Sequence, residues 1–340
     1  MEDFKNKMRD YQIIWKLKYL SSIKGKGYQN GKSYDHILPK SNEQENFFNP
    51  IRNELFNPNN GYLKGNNIKP HTGIHNLLSS WTLCANMYWP FNNDEGKILL
   101  SKWLSKQIQL DISEIVKLEL EYEDPIPDLK TGLLLGENNQ GMRGSGQTSP
   151  DLAVLFKTAQ GKKGILLIES KFTEHSFYVC SGYQKKTLTN NIPNPDKTRC
   201  LSTTSILSSD FEDCHLNTWG RKYWNLLRLD LNKDAFKALS RCPMSTSCYQ
   251  IFRQQALAKG YEKHYDVVAS CVVTDERNIT LVNSSKSTGM STFPEGWKNL
   301  FPNLPFYWLT HNSWFKYVRA NNSNGRWNEW IEYIGVRYDY

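Results

Sequence analysis

Long apolar runs are absent from this 340-residue sequence, and so are the marks of several protein classes. No stretch of eighteen consecutive apolar residues occurs, so the sequence predicts no membrane-spanning helix. Residues 1–7 lack the apolar segment of a secretory signal, and we therefore expect a cytoplasmic protein. No Gly-x-x-x-x-Gly-Lys-Ser/Thr motif is present, so the chain does not carry an ATP motor of that type. The length is sufficient for a substantial core.

Closely spaced cysteine pairs are absent too. Seven cysteines are too few for the disulfide framework of a secreted protein of this length. Cys84 and Cys271 lie in apolar patterns and are predicted to be core residues. The other five follow one another at intervals of twenty, fourteen, twenty-eight and six positions: Cys180, Cys200, Cys214, Cys242 and Cys248. Because most zinc and iron–sulfur sites use Cys-x-x-Cys pairs, we expect ordinary thiols, with a structural zinc or iron–sulfur site as the alternative.

The net charge of +8 is unevenly distributed along the chain. Residues 1–40 contain nine basic and four acidic residues, and residues 156–253 contain fifteen and eight. Residues 111–151 contain three basic and nine acidic residues. An acidic segment flanked by basic ones is what a metal site inside a phosphate-binding cleft requires. A solvated surface is the alternative explanation for the basic N-terminal segment.

Two apolar segments joined by a turn carry the most informative residues. Pro150-Asp151 opens a short run of strand composition, and residues 157–164 are rich in Gly and Lys, as turns are. Residues 164–168 have the composition of a buried strand, which ends at Glu169-Ser170-Lys171. A hairpin of this shape brings Asp151 close to Glu169, and the two-residue period of a strand puts Glu169 and Lys171 on one face.

Two carboxylates and an ammonium on one face suit a divalent-metal site for phosphodiester hydrolysis. Carboxylate oxygens are hard ligands for Mg²⁺, and Lys171 can polarise or deprotonate the attacking water. The alternative is a surface salt bridge between Glu169 and Lys171, with Asp151 starting a turn. The apolar run before Glu169 favours the metal site, because a carboxylate at the end of a buried strand needs a compensating charge.

These residues resemble the motif of the PD-(D/E)XK nuclease superfamily. Pro150 and Asp151 match its proline and first acid, Glu169 its second acid and Lys171 its lysine, within residues 145–175. More loosely, the whole chain resembles the bacterial restriction-endonuclease-like branch. Two further segments carry that likeness: a helix with Ser79-Ser80 and Cys84-x-Asn86, and a later helix with Tyr249-Gln250-x-x-Arg253-Gln254.

The resemblance implies an α/β fold with a restriction-endonuclease-like core, in which helices flank a mixed central sheet. It implies Mg²⁺, with Mn²⁺ as the alternative, held by Asp151 and Glu169. Lys171 would position the water, and Gln250 and Arg253 would support the phosphate. The implied activity is endonucleolytic cleavage of double-stranded DNA in restriction or anti-phage defence, and a homodimer is left open.

Two other functions stay open at this point. One is an inactive nuclease fold used as a DNA-binding or assembly module. The other is an RNA- or single-strand-directed nuclease, because aromatic residues interleaved with Lys316, Arg319 and Arg326 near the C-terminus can stack on bases. Packing against the core is the more common role of such aromatic residues.

We expect one elaborated nuclease domain. It would comprise a helical part at 1–110, a core at 111–285 with an insertion at 173–248, and an aromatic C-terminal region at 286–340. Helices are predicted at residues 3–25, 73–89, 95–109, 218–229 and 249–259, and strands at 116–123, 151–156, 164–168, 265–274 and 279–282. The helix at 95–109 is predicted to bury five residues: Ile98, Leu99, Trp103, Leu104 and Ile108.

Four more positions are candidates for the site. Ser79 and Ser80 are predicted to line the cleft, and Glu114 or Glu119 would be the extra acid that many superfamily members place upstream. His71 and His75 have the i, i+4 spacing of a zinc pair, but they lack the adjacent glutamate of a metalloprotease, so a metal role is not favoured.

Overall fold

A five-stranded mixed sheet forms the centre of the molecule. The computed structural model describes residues 3–137, 141–184 and 192–340. Its strands lie in the order β3-β4-β5-β6-β7, and a separate hairpin is formed by β1 and β2. The strands are β1 (Gly27–Gln29), β2 (Lys32–Tyr34), β3 (Ile112–Leu120), β4 (Leu152–Thr158), β5 (Lys163–Lys171), β6 (Val267–Thr274) and β7 (Phe306–Thr310).

Helices cover both faces of this sheet. The helices that precede β3 in the chain are α1 (Phe4–Tyr19), α2 (Asn49–Phe56), α3 (Tyr62–Gly65), α4 (Ser80–Tyr88) and α5 (Asp94–Ile108). Those after β3 are α6 (Thr131–Leu135), α7 (Thr203–Ser208), α8 (His215–Thr218), α9 (Tyr223–Leu227), α10 (Lys233–Lys237), α11 (Tyr249–Tyr261), α12 (Ile279–Val282), α13 (Phe293–Leu300), α14 (His311–Ala320) and α15 (Asn328–Tyr338). None of the helices in the described ranges has the length and apolar character needed to cross a membrane.

Strand β5 separates two hydrophobic cores because both of its faces are buried. Leu166 and Ile168 pack into one core with α4, α5, α14 and α15, whereas Ile165 and Leu167 pack into the other with α9 and α11. This continuous apolar strand pairs antiparallel with β4 and parallel with β6, as buried strands of mixed sheets do. The predicted α/β class with a mixed central sheet between helices is therefore confirmed.

The predicted hairpin forms with a register that fixes the ends of both strands. Leu152 pairs with Ile168, so the residues just beyond, Asp151 and Glu169, meet at the same end. Lys171 pairs with Thr274 of β6, which places the carboxyl ends of two parallel strands side by side. Such an edge is where ligands bind in open α/β sheets.

Several predicted helices differ in length or type from those observed. The helix predicted at 73–89 starts only at Ser80, because Ser79 has an extended backbone and its hydroxyl accepts from the Thr82 N–H as an N-cap. The helix predicted at 218–229 is instead two short helices, α8 and α9, separated by Gly220 at φ 71°. The strand predicted at 279–282 is wrong: Asn278 caps the short helix α12 through the Leu281 N–H.

The buried face of α5 was also predicted incorrectly at one position. Ile98 is 55% exposed, whereas Leu100 and Leu104 are buried. Two residues correspond to about 200° of rotation on a helix, so Ile98 points away from the face that Leu100 shares with Leu104. Trp103, Leu104 and Ile108 are buried as predicted, and so are Cys84 and Cys271.

The C-terminal aromatic residues mostly pack inside the two cores. Trp314 and Trp330 lie in the first core, and Trp297 and Phe306 lie in the second. Strand β7 also belongs to the central sheet, although it lies within the C-terminal region of the predicted division. Residues 185–191 of the predicted insertion at 173–248 lie outside the described residues.

Candidate active site

The hairpin end brings the two predicted acids together. The Ser170 N–H donates to the Asp151 carboxylate (Oδ2, 2.8 Å), which holds that side chain across the end of β5. Glu169 and Lys171 lie on one face of the strand as predicted, and Lys171 Nζ donates to Glu169 Oε1 at 2.8 Å. Both side chains are almost completely buried, so this is not a surface salt bridge.

Helix α11 supplies a fourth predicted residue, because the face of β5 that carries Glu169 packs against that helix. Gln250 Nε2 donates to Glu169 Oε1 at 2.5 Å. The side-chain oxygen of Gln250 (Oε1) is buried, and no hydrogen-bond partner reaches it from the described parts of the chain. A buried acceptor of this kind is costly unless a ligand or water supplies a donor.

The opposite face of β5 holds the strand end in place. Ser170 Oγ donates to the Ser80 carbonyl oxygen at 3.1 Å and lies 3.2 Å from His311 Nε2. Burial lowers the pKa of His311 to about 4, so this imidazole is neutral at physiological pH. The other ring nitrogen lies 3.3 Å from the Tyr88 hydroxyl, and this polar cluster ties β5 to α4 and α14.

Glu121 is a further acid at the site and was not among the predicted residues. It follows β3 at φ 49°, a left-handed conformation that ends the alternation of the strand. Arg143 fixes this turn, since its Nε donates to the Glu121 carbonyl oxygen at 2.8 Å and its Nη2 donates to Leu120 O at 2.8 Å. Gly144 follows at φ 78°, and a Cβ there would lie 2.4 Å from Lys69 O and 3.4 Å from the Glu121 carboxyl carbon.

Charge at this strand end is poorly balanced. Burial and then the Glu169 carboxylate raise the pKa of Glu121 to about 8, while Arg143 opposes the rise. Burial and then Glu169 also raise the pKa of Asp151 well above its ordinary value, although Lys171 opposes the change. Three buried carboxylates therefore lie near one another, and Lys171 and Arg143 offset their charge only in part.

Lys171 keeps its proton in this environment. Burial lowers the pKa of Lys171, but Glu169 and then Glu174 outweigh burial and hold the pKa above its ordinary value. A lysine that holds its proton this firmly stabilises negative charge and is a poor general base.

Arg253, the remaining predicted site residue, has different partners. Its Nε donates to Glu137 Oε1 at 3.2 Å and to Thr148 Oγ1 at 2.8 Å. Glu137 also accepts from the Thr148 N–H at 2.6 Å and from the Tyr223 hydroxyl at 2.7 Å. Arg253 and Gln250 lie on the same helix, but the structure joins only Gln250 to Glu169.

The strand end opens into a cleft of about 670 Å³. Its lining includes Glu121, Asp151, Glu169, Lys171 and Gln250. It also includes the glycine-rich segment 144–147, Lys5 and Arg9 of α1, Tyr34 of β2, and His36, which follows β2. Burial and then the cations of Arg9 and Lys5 lower the pKa of His36, while Asp35 and Asp10 oppose the change.

The other candidate residues are distributed unevenly around this cleft. Ser79 and Ser80 line it as predicted. Glu119 pairs with Arg143 at 2.9 Å, and Glu114 pairs with Lys157 on the surface, so neither reaches the position that Glu121 occupies. His71 lines the cleft, and its Nδ1 accepts from the Gly73 N–H. Within residues 3–137, 141–184 and 192–340, no three His, Cys, Asp or Glu side chains are spaced as metal ligands.

The family of the chain follows from comparison with protein-family models. One model, described as "Restriction Endonuclease associating with ARP", matches residues 12–338. Searches of curated proteins and of solved structures found no match to the chain. The match extends over almost the whole chain, and the mixed sheet with helices on both faces agrees with a restriction-endonuclease-like core. The chain therefore belongs to the restriction-endonuclease family known as Restriction Endonuclease associating with ARP.

Proposed function

We propose that the chain is a Mg²⁺-dependent endonuclease that hydrolyses phosphodiester bonds of double-stranded DNA in restriction or other defence against foreign DNA. The observation that carries this proposal is the crowding of Glu121, Asp151 and Glu169 beside Lys171 at the end of β5, in a cleft that Lys5 and Arg9 also line. Membership of a restriction-endonuclease family supports the same reaction.

The donor set fits a hard divalent cation. Carboxylate oxygens are the ligands that Mg²⁺ prefers, and raised pKa values at Glu121 and Asp151 mark negative charge that the protein leaves unbalanced. Asp151 and Glu169 would hold the ion, with Glu121 as an additional ligand. Bound there, Mg²⁺ would lower the pKa of a water molecule and polarise a phosphoryl oxygen. Mn²⁺ prefers similar ligands and is the alternative ion.

The side chains around the acids have separate roles in this proposal. Lys171 stays protonated and offsets negative charge that develops on the phosphate. Gln250 holds Glu169 in place, and its side-chain oxygen, which has no partner among the described residues, can accept from the attacking water. Arg253 acts as a positioning residue, because its guanidinium binds Glu137 and Thr148. Thr148 lies three residues before Asp151, so these contacts fix the segment that leads to this acid.

Basic residues of the cleft would contact the nucleic acid. Lys5 and Arg9 of α1 line the same cleft and can pair with backbone phosphates. The RNA- or single-strand-directed alternative has less support, because the C-terminal aromatic residues on which it rests are mostly packed in the cores. We further propose that the chain acts in the cytoplasm as one nuclease domain; its oligomeric state stays open.

A substrate panel tests this proposal. We expect the purified protein to cut plasmid and linear duplex DNA with Mg²⁺ and to be inactive with EDTA. Single-stranded DNA and RNA of the same sequence should be cut at least tenfold more slowly, and an Asp151→Asn preparation controls for contaminating nucleases. Salt-dependent duplex binding without cleavage in Mg²⁺ or Mn²⁺ would instead favour the inactive DNA-binding module. Preferential cleavage of RNA would contradict the proposed substrate.

A further inference from the structure

The β1–β2 hairpin is separate from the central sheet and lies largely in solvent. Its two strands are joined by Asn30-Gly31, and both of these residues have positive φ, 51° and 75°. Positive φ at both central positions is the mark of a type I′ turn, which matches the twist of a two-stranded ribbon. Every residue from 28 to 33 is exposed, and the Tyr28 side chain is 71% exposed. The hairpin therefore has a well-defined turn but is not buried in either core.

The base of the β1–β2 hairpin is attached to the body of the protein. The Gly27 N–H donates to the Ile37 carbonyl oxygen at 2.8 Å, and the Leu38 N–H donates to the His75 carbonyl oxygen at 2.9 Å. Ile37 and Leu38 are completely buried. A Cβ at Gly27 would lie 2.1 Å from Leu38 O, so only glycine fits at this close approach. Because its base is fixed, the exposed end of the hairpin has a defined position on the molecule.

One face of the hairpin is directed toward the cleft. Gln29 pairs with Lys32, and Gly27 pairs with Tyr34. Side chains of paired residues project from the same face of a ribbon, and the two-residue period brings both pairs to one face. Gln29 and Tyr34 line the cleft that also contains Asp151. The face with Gln29, Lys32 and Tyr34 is therefore polar and lies next to the candidate active site.

The chemistry of this segment suits contact with the bases of DNA. Residues 24–34 contain three lysines and no acidic residue. Gln29 Oε1 accepts from Asn76 Nδ2 at 3.5 Å, a long hydrogen bond that a ligand can replace. A glutamine amide can bind adenine through two hydrogen bonds, and lysine binds the O6 and N7 atoms of guanine. These base edges are displayed in the major groove, which is wide enough to admit a two-stranded ribbon.

We propose that the β1–β2 hairpin enters the major groove of duplex DNA and determines the sequence that is bound, with Gln29 contacting adenine and Lys32 contacting guanine. The inference rests on the proposed function, since the cleft beside the hairpin would hold the scissile phosphate. Each strand of three residues extends about 10 Å, which corresponds to about three base pairs. Lys5 and Arg9 would bind backbone phosphates, whereas the hairpin would select the sequence.

Selection of bound duplexes tests this inference without cleavage. Asp151→Asn protein in EDTA is mixed with duplexes that contain a randomised segment, and the bound fraction is sequenced. We expect a preferred sequence with an adenine and a guanine within about three base pairs of each other. Addition of Gln29→Ala should reduce the preference for that adenine at least about fivefold, because a bidentate contact discriminates by this factor or more. Gln44→Ala, at an exposed position outside the cleft, is the matched control and should keep the preference.

Methylation of the selected duplex with dimethyl sulfate identifies the groove. A methyl group at guanine N7 lies in the major groove and should prevent binding, and Lys32→Ala should remove this interference at one guanine. Interference from adenine N3 alone would place the protein in the minor groove and overturn the inference. An unchanged sequence preference in both Gln29→Ala and Lys32→Ala would also overturn it.

The outcomes separate this inference from the proposed activity. Duplex binding and plasmid cleavage without any sequence preference would overturn the role of the hairpin but leave the proposed nuclease intact. A preference that depends on Gln29, in a protein that does not cleave with Mg²⁺ or Mn²⁺, would support the role of the hairpin and favour the inactive DNA-binding module. Absence of duplex binding by both wild-type and Asp151→Asn protein would contradict both proposals.

Discussion

Glu137 and the carboxylates at the end of β5 are both buried, but the two sites differ in how their charge is balanced. At Glu137, burial raises the pKa, but Arg253 and the hydrogen bonds of Thr148 and Tyr223 outweigh burial and hold the pKa below its ordinary value. At the end of β5, burial and the neighbouring carboxylates raise the pKa values of Glu121 and Asp151. The first group has a complete set of partners, whereas the second has an excess of negative charge.

This difference separates a structural role from a functional one. A buried carboxylate whose partners are complete holds chain segments together, and here Glu137 fixes Thr148 near the start of β4. Carboxylates that raise one another's pKa values weaken the fold, and such groups cluster at functional sites. Removing the Glu137 carboxylate should therefore chiefly lower stability, whereas removing a carboxylate at the end of β5 should chiefly lower activity.

The largest effect is expected from Asp151→Asn. Loss of one metal ligand removes several kcal/mol of transition-state stabilisation, so cleavage should fall at least about a thousandfold. The melting temperature in EDTA should stay equal or rise, because a carboxylate that Glu169 repels has gone. Single-turnover cleavage and thermal melting measure the two quantities. Near-wild-type cleavage in Mg²⁺ would remove Asp151 from the site.

Glu169→Gln is expected to abolish cleavage to the same degree but to lower the melting temperature. Its carboxylate is the direct partner of Lys171, so the substitution leaves a buried ammonium with less compensation. The two variants thus separate the metal-binding role, which both acids share, from the ion pair that only Glu169 forms. An unchanged melting temperature for Glu169→Gln would contradict this distinction.

Glu137→Gln should chiefly destabilise the fold. Breaking a buried ion pair costs about 3–5 kcal/mol. Because the Arg253 side chain is one quarter exposed, we expect a loss near the lower end of this range. Urea unfolding measures this loss. Glu114→Gln is the matched control, because its surface pair with Lys157 should contribute less than about 1 kcal/mol. Equal losses in both variants would show that the partners of Glu137 are not important for stability.

Arg143→Gln should weaken metal binding without removing a ligand. Arg143 fixes the left-handed turn at Glu121 and opposes the rise of its pKa. Loss of a residue that orients a ligand typically weakens metal binding about tenfold, so more Mg²⁺ should restore cleavage. A Mg²⁺ titration of cleavage rates measures this shift, which should be smaller for Arg143→Lys because the charge remains. A reduced maximal rate at saturating Mg²⁺ would contradict the assignment.

The last prediction concerns pH in the absence of divalent ions. A carboxyl whose pKa is higher in the folded than in the unfolded state loses stability as pH rises between the two values. For Glu121 these are its ordinary value of 4.5 and about 8. Wild-type protein in EDTA should therefore lose stability relative to Glu121→Gln across this range, as measured by urea unfolding at several pH values. Added Mg²⁺ should reduce this loss of stability. If the stability of the wild type and of Glu121→Gln changed equally with pH, the prediction would be wrong.

The sequence was sufficient to predict the hairpin and its register. Period-two patterning places Glu169 and Lys171 on one face, and a short turn aligns Asp151 with Glu169, so these positions depend on local geometry alone. Gln250 was predicted to support the phosphate, whereas its hydrogen bond to Glu169 depends on how α11 packs on β5.

Glu121 and the partners of Arg253 could not be predicted in the same way. The resemblance pointed to Glu114 or Glu119, but the left-handed turn at Glu121 and the distant Arg143 place Glu121 at the cleft. On α11 the spacing groups Gln250 with Arg253, yet Arg253 reaches Glu137, which lies 116 residues away in the chain. Contacts of this range depend on tertiary packing, which local patterns do not record.

The hydrogen bond from the Ser170 N–H to Asp151 also makes that amide a natural reporter group. Most amides in the centre of a sheet donate to a neighbouring carbonyl oxygen, but this one donates to a side chain that would bind the metal. A cation that draws electron density from the carboxylate would weaken it as an acceptor and change the magnetic environment of the Ser170 nitrogen. Its resonance in a nitrogen-15 spectrum should therefore follow metal occupancy at the cleft directly, even in a protein that is not cutting DNA.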